Sequence, residues 1–248
     1  MLDTVNLPIN EITTETLRNY LSNYKNNSTA GMVTIDNIRR TLSSFFAWLE
    51  NEDYIVKSPV RRIHKVKTTR RVKETLTDEN LEKLRDTCSN VRDLAILELL
   101  ISIGMRVGEL TRLNISDMNF QERSCIVLGK GNSEREVYFS AKSKMYIEKY
   151  LKTRTDDNEA LFVSLIKPYN RLGISGIEIA IRNLGKQANI NKVHPHKFRR
   201  TMATMAIDKG MPIEQVQKLL GHIKIDTTME YAMVNQNNVK NSHRKYVN

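Results

Sequence analysis

Four stretches of the chain carry residues whose types and spacing could do chemistry. In "HPHKFRR", His196 and Arg199 stand three apart, so on a helix they share one face. Pro195 suits the first turn of that helix, and a helix N-terminus attracts anions, to which a histidine and an arginine add donors. Further on, His222 follows Gly221 on a turn, and Tyr231 falls early in a last helix. In "IGMRVGEL", Arg106 and Glu109 are three apart just past Gly104, after an apolar helix, and could point into a cleft. Lys130 sits between Gly129 and Gly131 at a loop tip. Glycines there let a backbone approach a ligand closely, and a tip lysine can reach a phosphate. Plainer readings stand beside these. Arg106 and Glu109 could be a structural pair, Lys130 a solvated turn and Tyr231 a packing residue. His194, His196 and His222 could bind zinc, but no carboxylate or cysteine joins them at usual spacing, so no metal is expected. "PIEQVQKLLGHIKIDTTMEYA" also fits a DNA-binding helix-turn-helix.

The elements that must hold these residues are mostly helical. "VRDLAILELLISIG" predicts a buried helix ending at Gly104, and Thr77 predicts the N-cap of "TLTDENLEKLRDTC", with Asn80 at its third position. Between them and the histidines the period changes. Ser124–Leu128 and Arg135–Phe139 predict two strands of a hairpin around "GKGNSE", and "ALFVS" a third strand. "AKSKMYIEKYLKT" and "GISGIEIAIRNLGKQA" predict further helices. Around the histidines, Phe198, Met202 and Met205 predict a core stripe, Pro212 and Gly221 bound another helix, and Thr227 with Glu230 predict a capping box for the last one. Upstream, "TTETLRNYLSNYK" and "TIDNIRRTLSSFFAWLENEDY" have helical period. In the second, Ile38, Leu42, Phe45, Phe46 and Leu49 form one stripe, and Thr34 and Asp36 are the expected caps.

Charge points to the partner. The 248 residues hold 39 Lys and Arg against 28 Asp and Glu, a net +11, which suits a polyanion such as nucleic acid. Eight of the cations lie between Lys57 and Lys73, without an acid. That segment could be a solvated linker; a run of one sign also suits chain lying along a phosphate backbone. Its Arg61, Arg62, Lys65, Lys67, Arg70, Arg71 and Lys73 are the candidate DNA contacts. No apolar run is long enough for a membrane span and no signal-peptide pattern opens the chain. Cys88 and Cys125 show no paired motif, as expected of reduced thiols in a cytoplasmic protein.

Taken together these pieces resemble the tyrosine recombinases, the integrase and Xer type of site-specific DNA recombinase. "GMRVGEL", "LGKGNSER", "HPHKFRR", "LLGH" and "TTMEYA" match that family's motifs in order. The resemblance implies a catalytic set of Arg106, Lys130, His196, Arg199, His222 and Tyr231, with Glu109 in support. His194 and Arg200 fall outside it; Arg200 stands where the family often has a second histidine. The implied fold is mainly α with a small antiparallel β-sheet in the catalytic domain, as a two-domain DNA clamp. Residues 1–66 would be the helical core-DNA-binding domain, without its usual first helix. Residues 67–74 would be a basic linker, and 75–248 the catalytic domain with a C-terminal tail.

The implied chemistry is attack by the Tyr231 phenol on a phosphodiester. Arg106 and Arg199 would hold the charge that grows on the non-bridging oxygens, helped by His196 and His222. His196 would take the phenolic proton and Lys130 would protonate the leaving 5′-oxygen. Glu109 would orient His196 or Arg106. The product is a 3′-phosphotyrosyl link that conserves bond energy, so neither ATP nor a cofactor is expected. The implied partners are double-stranded DNA with inverted-repeat core sites and a homotetramer working through a Holliday junction, with a related recombinase as a further possible partner. The tail is expected to dock on a neighbouring protomer, and the nucleoid is the expected location. A type IB topoisomerase and an inactive DNA-binding protein are the alternatives.

Overall fold

The computed structural model describes residues 5–66, 74–129 and 133–232. The chain divides into two compact units, Met1–Arg71 and Val72–Asn248.

The first unit is helical. Helix α1 spans Thr14–Asn26 and α2 spans Met32–Asn51. Thr13 caps α1: its hydroxyl accepts from the Thr16 amide while Thr16 returns the bond, satisfying two of the orphan groups of the first turn. The α2 stripe is as expected, with Leu42, Phe46 and Leu49 buried against Leu17, Leu21 and Val60. Its cap is not. The helix starts at Met32 behind Gly31, without a side-chain cap. Asp36 is instead buried inside the helix, where it accepts from Arg39 Nε at 2.9 Å and from the Val66 amide at 3.1 Å. The Arg39 hydrogen bond, first among its favourable contacts, holds its carboxyl below the usual range. The anchored Val66 belongs to the basic segment. Residues Pro59–Arg62 form a short 3-10 turn, and Val60, Ile63 and Val66 pack into the core. So the near half of the basic segment is part of a folded unit: its apolar residues recur every third position inward, and Arg61, Arg62 and Lys65 are exposed.

The second unit is built around one buried helix. Helix α3 spans Asp78–Thr87, capped by Thr77 accepting from the Asn80 amide, and α4 spans Val91–Ile103. Helix α4 is mostly buried, with Arg92 and Glu98 among its buried residues, and it packs on α6 (Ala141–Leu151), α7 (Ile174–Gln187) and α8 (Pro195–Asp208). It ends at Gly104 in the left-handed region, φ 63°, where glycine has no Cβ to clash. The one-turn helix α5 follows at Val107–Leu110. The sheet is antiparallel in order β1 (Met118–Asn119), β2 (Ser124–Leu128), β3 (Glu134–Tyr138), with Cys125 opposite Val137. The expected hairpin is present, with β3 one residue earlier. The expected third strand is not: 160–164 contributes only isolated bridges, Asn114 with Ala160 and Val163 with Arg171, and Met118–Asn119 takes the edge. Residues 160–163 are buried as irregular chain, which gave them a strand's apolarity without a partner strand. Two short helices end the unit, α9 (Ile213–Leu220) and α10 (Ile225–Ala232). Because α10 starts at Ile225, Thr227 and Glu230 lie inside it and are not its capping box.

Candidate active site

The site is assembled on the C-terminal end of α9. The last carbonyls of a helix have no partner within it and carry the negative end of its dipole. Here three successive ones each take an arginine. Arg135 Nε donates to Leu219 O at 2.9 Å, Arg199 Nη2 to Leu220 O at 2.5 Å and Arg106 Nη2 to Gly221 O at 3.3 Å. Those arginines come from β3, α8 and the turn before α5. Gly221 itself must be glycine: its φ is 62°, and a Cβ would meet the Arg135 side chain at 3.1 Å.

Glu109 locks two of the three. Both its oxygens are used: Oε1 accepts from Arg106 Nη1 at 2.9 Å and Arg135 Nη1 at 3.0 Å, and Oε2 from Arg135 Nη2 at 2.7 Å and the Arg106 amide at 2.9 Å. Burial raises the pKa of Glu109, but the Arg135 fork and the Arg106 amide and guanidinium outweigh that and hold it below the ordinary value. Glu109 thus holds Arg106, one of its two expected clients. The Arg106 side chain remains 40% exposed, leaving donors for a ligand.

Arg199 is 1% exposed and joins two helix ends, giving Nη1 to Gly104 O at 3.0 Å besides its bond to Leu220. Burial, then the Arg106 charge, pushes its pKa down to about 10, so it stays cationic at neutral pH. Two of its five N–H donors are spent on carbonyls; the others can serve an anion. Arg106 and Arg199 line a cavity of about 310 Å³ together with His194, His196, Glu178 and Arg182. His194, outside the expected set, thus lines the same cavity; burial, then Arg200 and Lys197, lower its pKa. A larger hollow of about 700 Å³ lies along α1, but none of its lining residues is a cation.

His222 follows the Gly221 cap. Its Nδ1 lies 2.8 Å from Thr228 Oγ1, on the face of α10 that is fully buried. Burial, then the charges of Arg199 and Arg106, push its pKa down to about 4. It is therefore neutral at pH 7, and the Thr228 contact fixes the ring. The Tyr231 ring stands with its centroid 6.0 Å from that of His222. It is 7% exposed and packs with Ala203, Val216 and Leu220.

Arg106, Glu109, His196, Arg199, His222 and Tyr231 are thus brought to one region by α5, α8, α9 and α10. Lys130 lies outside the described residues, as do Lys67, Arg70, Arg71, Lys73 and the tail from 233 on. Of the described basic-segment residues, Arg61 pairs with Glu50 at 2.7 Å. Besides the cavity-lining Glu178 and Arg182, two residues that hold site side chains in place, Arg135 and Thr228, escaped the sequence reading. Arg135 had a signal: it shares the inward face of β3 with Val137, two residues on, where an arginine needs a buried acid. Thr228 had none, since its role depends on where the turn before α10 places His222. Among the described residues no cluster of His, Cys, Asp and Glu could hold a metal ion, and no helix is long and apolar enough to cross a membrane.

Known proteins resemble this chain in sequence and in fold. Residues 74–238 match the model of the phage integrase family. The tyrosine recombinase XerC of Staphylococcus aureus is 30% identical over 250 residues, covering 96% of this chain and 83% of that protein. The crystal structure of XerA recombinase superposes with a TM-score of 0.64 at 28% identity, over 99% of this chain and 87% of the other. The fold is also that of the XerH site-specific recombinase bound to a palindromic difH substrate, with a TM-score of 0.78 at 20% identity over 97% of this chain and 74% of the other. The chain belongs to the phage integrase family, the tyrosine recombinases, and is a DNA-cleaving and rejoining site-specific recombinase.

Proposed function

We propose that the cavity lined by Arg106, His196 and Arg199 receives the scissile phosphate and that Tyr231 attacks it. The observation that carries this reading is the convergence of three arginines on one helix end, two of them lining the cavity, with Tyr231 packed on the same helix. Arg106 and Arg199 place their remaining donors on the non-bridging oxygens as these gain charge. His222, neutral at pH 7 and fixed by Thr228, adds a donor. His196 is the base for the phenolic proton and Lys130 the acid for the 5′-oxygen. Glu109 and Arg135 hold Arg106 in place and do not exchange protons.

The arginine forks supply the charge stabilisation a metal would otherwise provide, and the 3′-phosphotyrosyl link stores the energy for rejoining, so the reaction runs without metal or ATP. Four protomers would act on two inverted-repeat sites through a Holliday junction, with residues from 233 on docking on a neighbour. The first unit is the core-DNA-binding domain, reaching the backbone through Arg61, Arg62 and Lys65 and, beyond them, Lys67, Arg70, Arg71 and Lys73. The cell's nucleoid is where such a protein works.

Covalent trapping on a nicked suicide DNA tests this. The wild type is expected to give a protein–DNA adduct on its own site and Tyr231→Phe none. An adduct with Tyr231→Phe overturns the nucleophile assignment. Junction-containing products from paired sites would separate strand exchange from simple relaxation.

A further inference from the structure

Two charged side chains of the cavity have no part in the chemistry above. Glu178 and Arg182 line it together with Arg106, His196 and Arg199, and both come from α7. Helix α7 buries Ile177, Ile181 and Leu184 in the core, which leaves Glu178 half-buried and Arg182 exposed on its other side. A glutamate four residues ahead of an arginine is the favoured arrangement for an ion pair along a helix. That pair is not made. Among the described residues neither side chain has a hydrogen bond or an ion pair, with the other or with anything else. Both charged ends are left to the cavity.

A phosphate explains one end of this cavity and not the other. Arg106, Arg199 and His196 offer donors to phosphate oxygens, whereas a carboxylate beside them repels a phosphate. The chain supplies Glu178 with no cation, although Glu109, the other acid at the site, holds two. Glu178 is therefore suited to a donor that arrives with the DNA. Base edges carry such donors. Cytosine presents the N–H groups of N4 in the major groove, and guanine presents O6 and N7, which one arginine fork meets with two hydrogen bonds. Phosphate contacts set the register of a protein on DNA, and base contacts carry the sequence. In this cavity residues fitted to each stand side by side.

We propose that Glu178 and Arg182 are specificity-determining residues that read the bases beside the scissile phosphate. Glu178 accepts from the amino group of a cytosine, and Arg182 donates to O6 and N7 of a guanine. This rests on the reading of the cavity as the seat of that phosphate. Four residues rise about 6 Å along α7, and successive bases of one strand are about 3.4 Å apart. The two contacts therefore fall on different base pairs, about two steps apart, and the enzyme selects where it cuts at the cleavage point itself.

The test is covalent trapping from a library of nicked suicide duplexes. Each carries the protein's own site with the base pairs beside the cleaved bond randomised, and the trapped duplexes are sequenced. The wild-type pool should be enriched about tenfold in cytosine at one position and in guanine at another. Glu178→Ala should level the first preference and keep the second, and Arg182→Ala should do the reverse. Glu178→Gln gives the sharpest result. A carboxamide pairs with N6 and N7 of adenine, so the first preference should move from cytosine to adenine instead of vanishing. Should an alanine variant not fold, Glu178→Gln and Arg182→Lys carry the test with side chains of nearly the same length. A residue that only supported the fold would change the yield of adduct and not the choice of base. A wild-type pool without preference at these positions overturns the proposal, and so do variant pools that match the wild type. A uniform fall in yield with an unaltered pool overturns it as well, because that is the mark of phosphate contacts. Absence of any adduct from the wild type instead defeats the reading of Tyr231 and of the phosphate seat, which separates the two failures.

Discussion

Two buried glutamates in the second unit use the same physics to different ends. Glu98, on α4, is 2% exposed; Glu109, on α5, is 5% exposed. Each is gripped by a two-pronged arginine. Arg85 gives Nε to Glu98 at 2.5 Å and Nη2 at 3.3 Å, and Lys142 stands 3.8 Å away. Arg135 grips Glu109 likewise. The difference lies in the second cation. Arg85 turns to Glu82 on its own helix and Lys142, though 42% exposed, lines neither of the two cavities described, so the Glu98 cluster ties α3, α4 and α6 together. Around Glu109 the second cation is Arg106, which keeps an exposed edge on the cavity. A buried carboxylate becomes functional when one of the charges it holds still faces a ligand.

Truncating each acid separates the two roles. Glu98→Ala leaves Arg85 without its buried counter-charge and should cost roughly 3–5 kcal/mol in denaturant unfolding. The adduct-forming rate of the protein that remains folded should be unaffected. Glu109→Ala should cost a comparable amount of stability, but it also frees Arg106. Its adduct rate should fall about 10²–10³-fold, the scale of losing one preorganised donor. Equal rate losses in the two variants would erase the distinction. A smaller effect is expected between the two clusters, at Gly104. A side chain there meets the left-handed penalty of about 1–2 kcal/mol, and its Cβ would lie 2.6 Å from Met202 Cε and 3.4 Å from the Arg199 Cα. Gly104→Ala should lose stability by that amount and slow the adduct only as far as Arg199 shifts.

The same contrast explains what could be read from the sequence. Helix α4, its Thr77-capped predecessor and the β2–β3 hairpin announce themselves through local pattern: apolar period, cap residues and a glycine loop. That Arg106, Arg199 and His222 come together was legible because the motif residues stand in order along the chain. What was not legible depends on distant partners. Nothing local to Arg135 says that its partner is Glu109, 26 residues upstream on α5. Asp36 looks like a cap because aspartate near a helix start usually is one; here the Val66 amide, 30 residues on, needs it more. Residues 160–164 have the apolarity of a strand, and only the tertiary fold shows that β1 already fills the edge. Thr227 and Glu230 have cap spacing, but the turn after Gly221 lets α10 begin earlier, at Ile225.

The smallest effect expected is a pH dependence that comes from His222 and not from either glutamate. An unfolded histidine takes up its proton as pH falls through about 6.5. In the folded chain burial and the cations around it delay that until about 4. Between those values the unfolded state binds more protons than the folded one, so stability falls as pH falls through this window; above it both states are neutral and His222 contributes nothing. Glu109 acts elsewhere. Its depressed pKa gives stability that is present above the ordinary glutamate value of 4.5 and lost only below it. Melting temperatures of the DNA-free protein from pH 7 to 5 therefore isolate the histidines. His222→Gln should decline less steeply than the wild type over that range. Part of the slope should remain, because His194 is shifted in the same direction. Glu98→Ala should keep the full wild-type slope, since it leaves the cations around His222 in place. Parallel slopes in wild type and His222→Gln would mean that neither burial nor the arginines gathered on α9 hold the proton off His222.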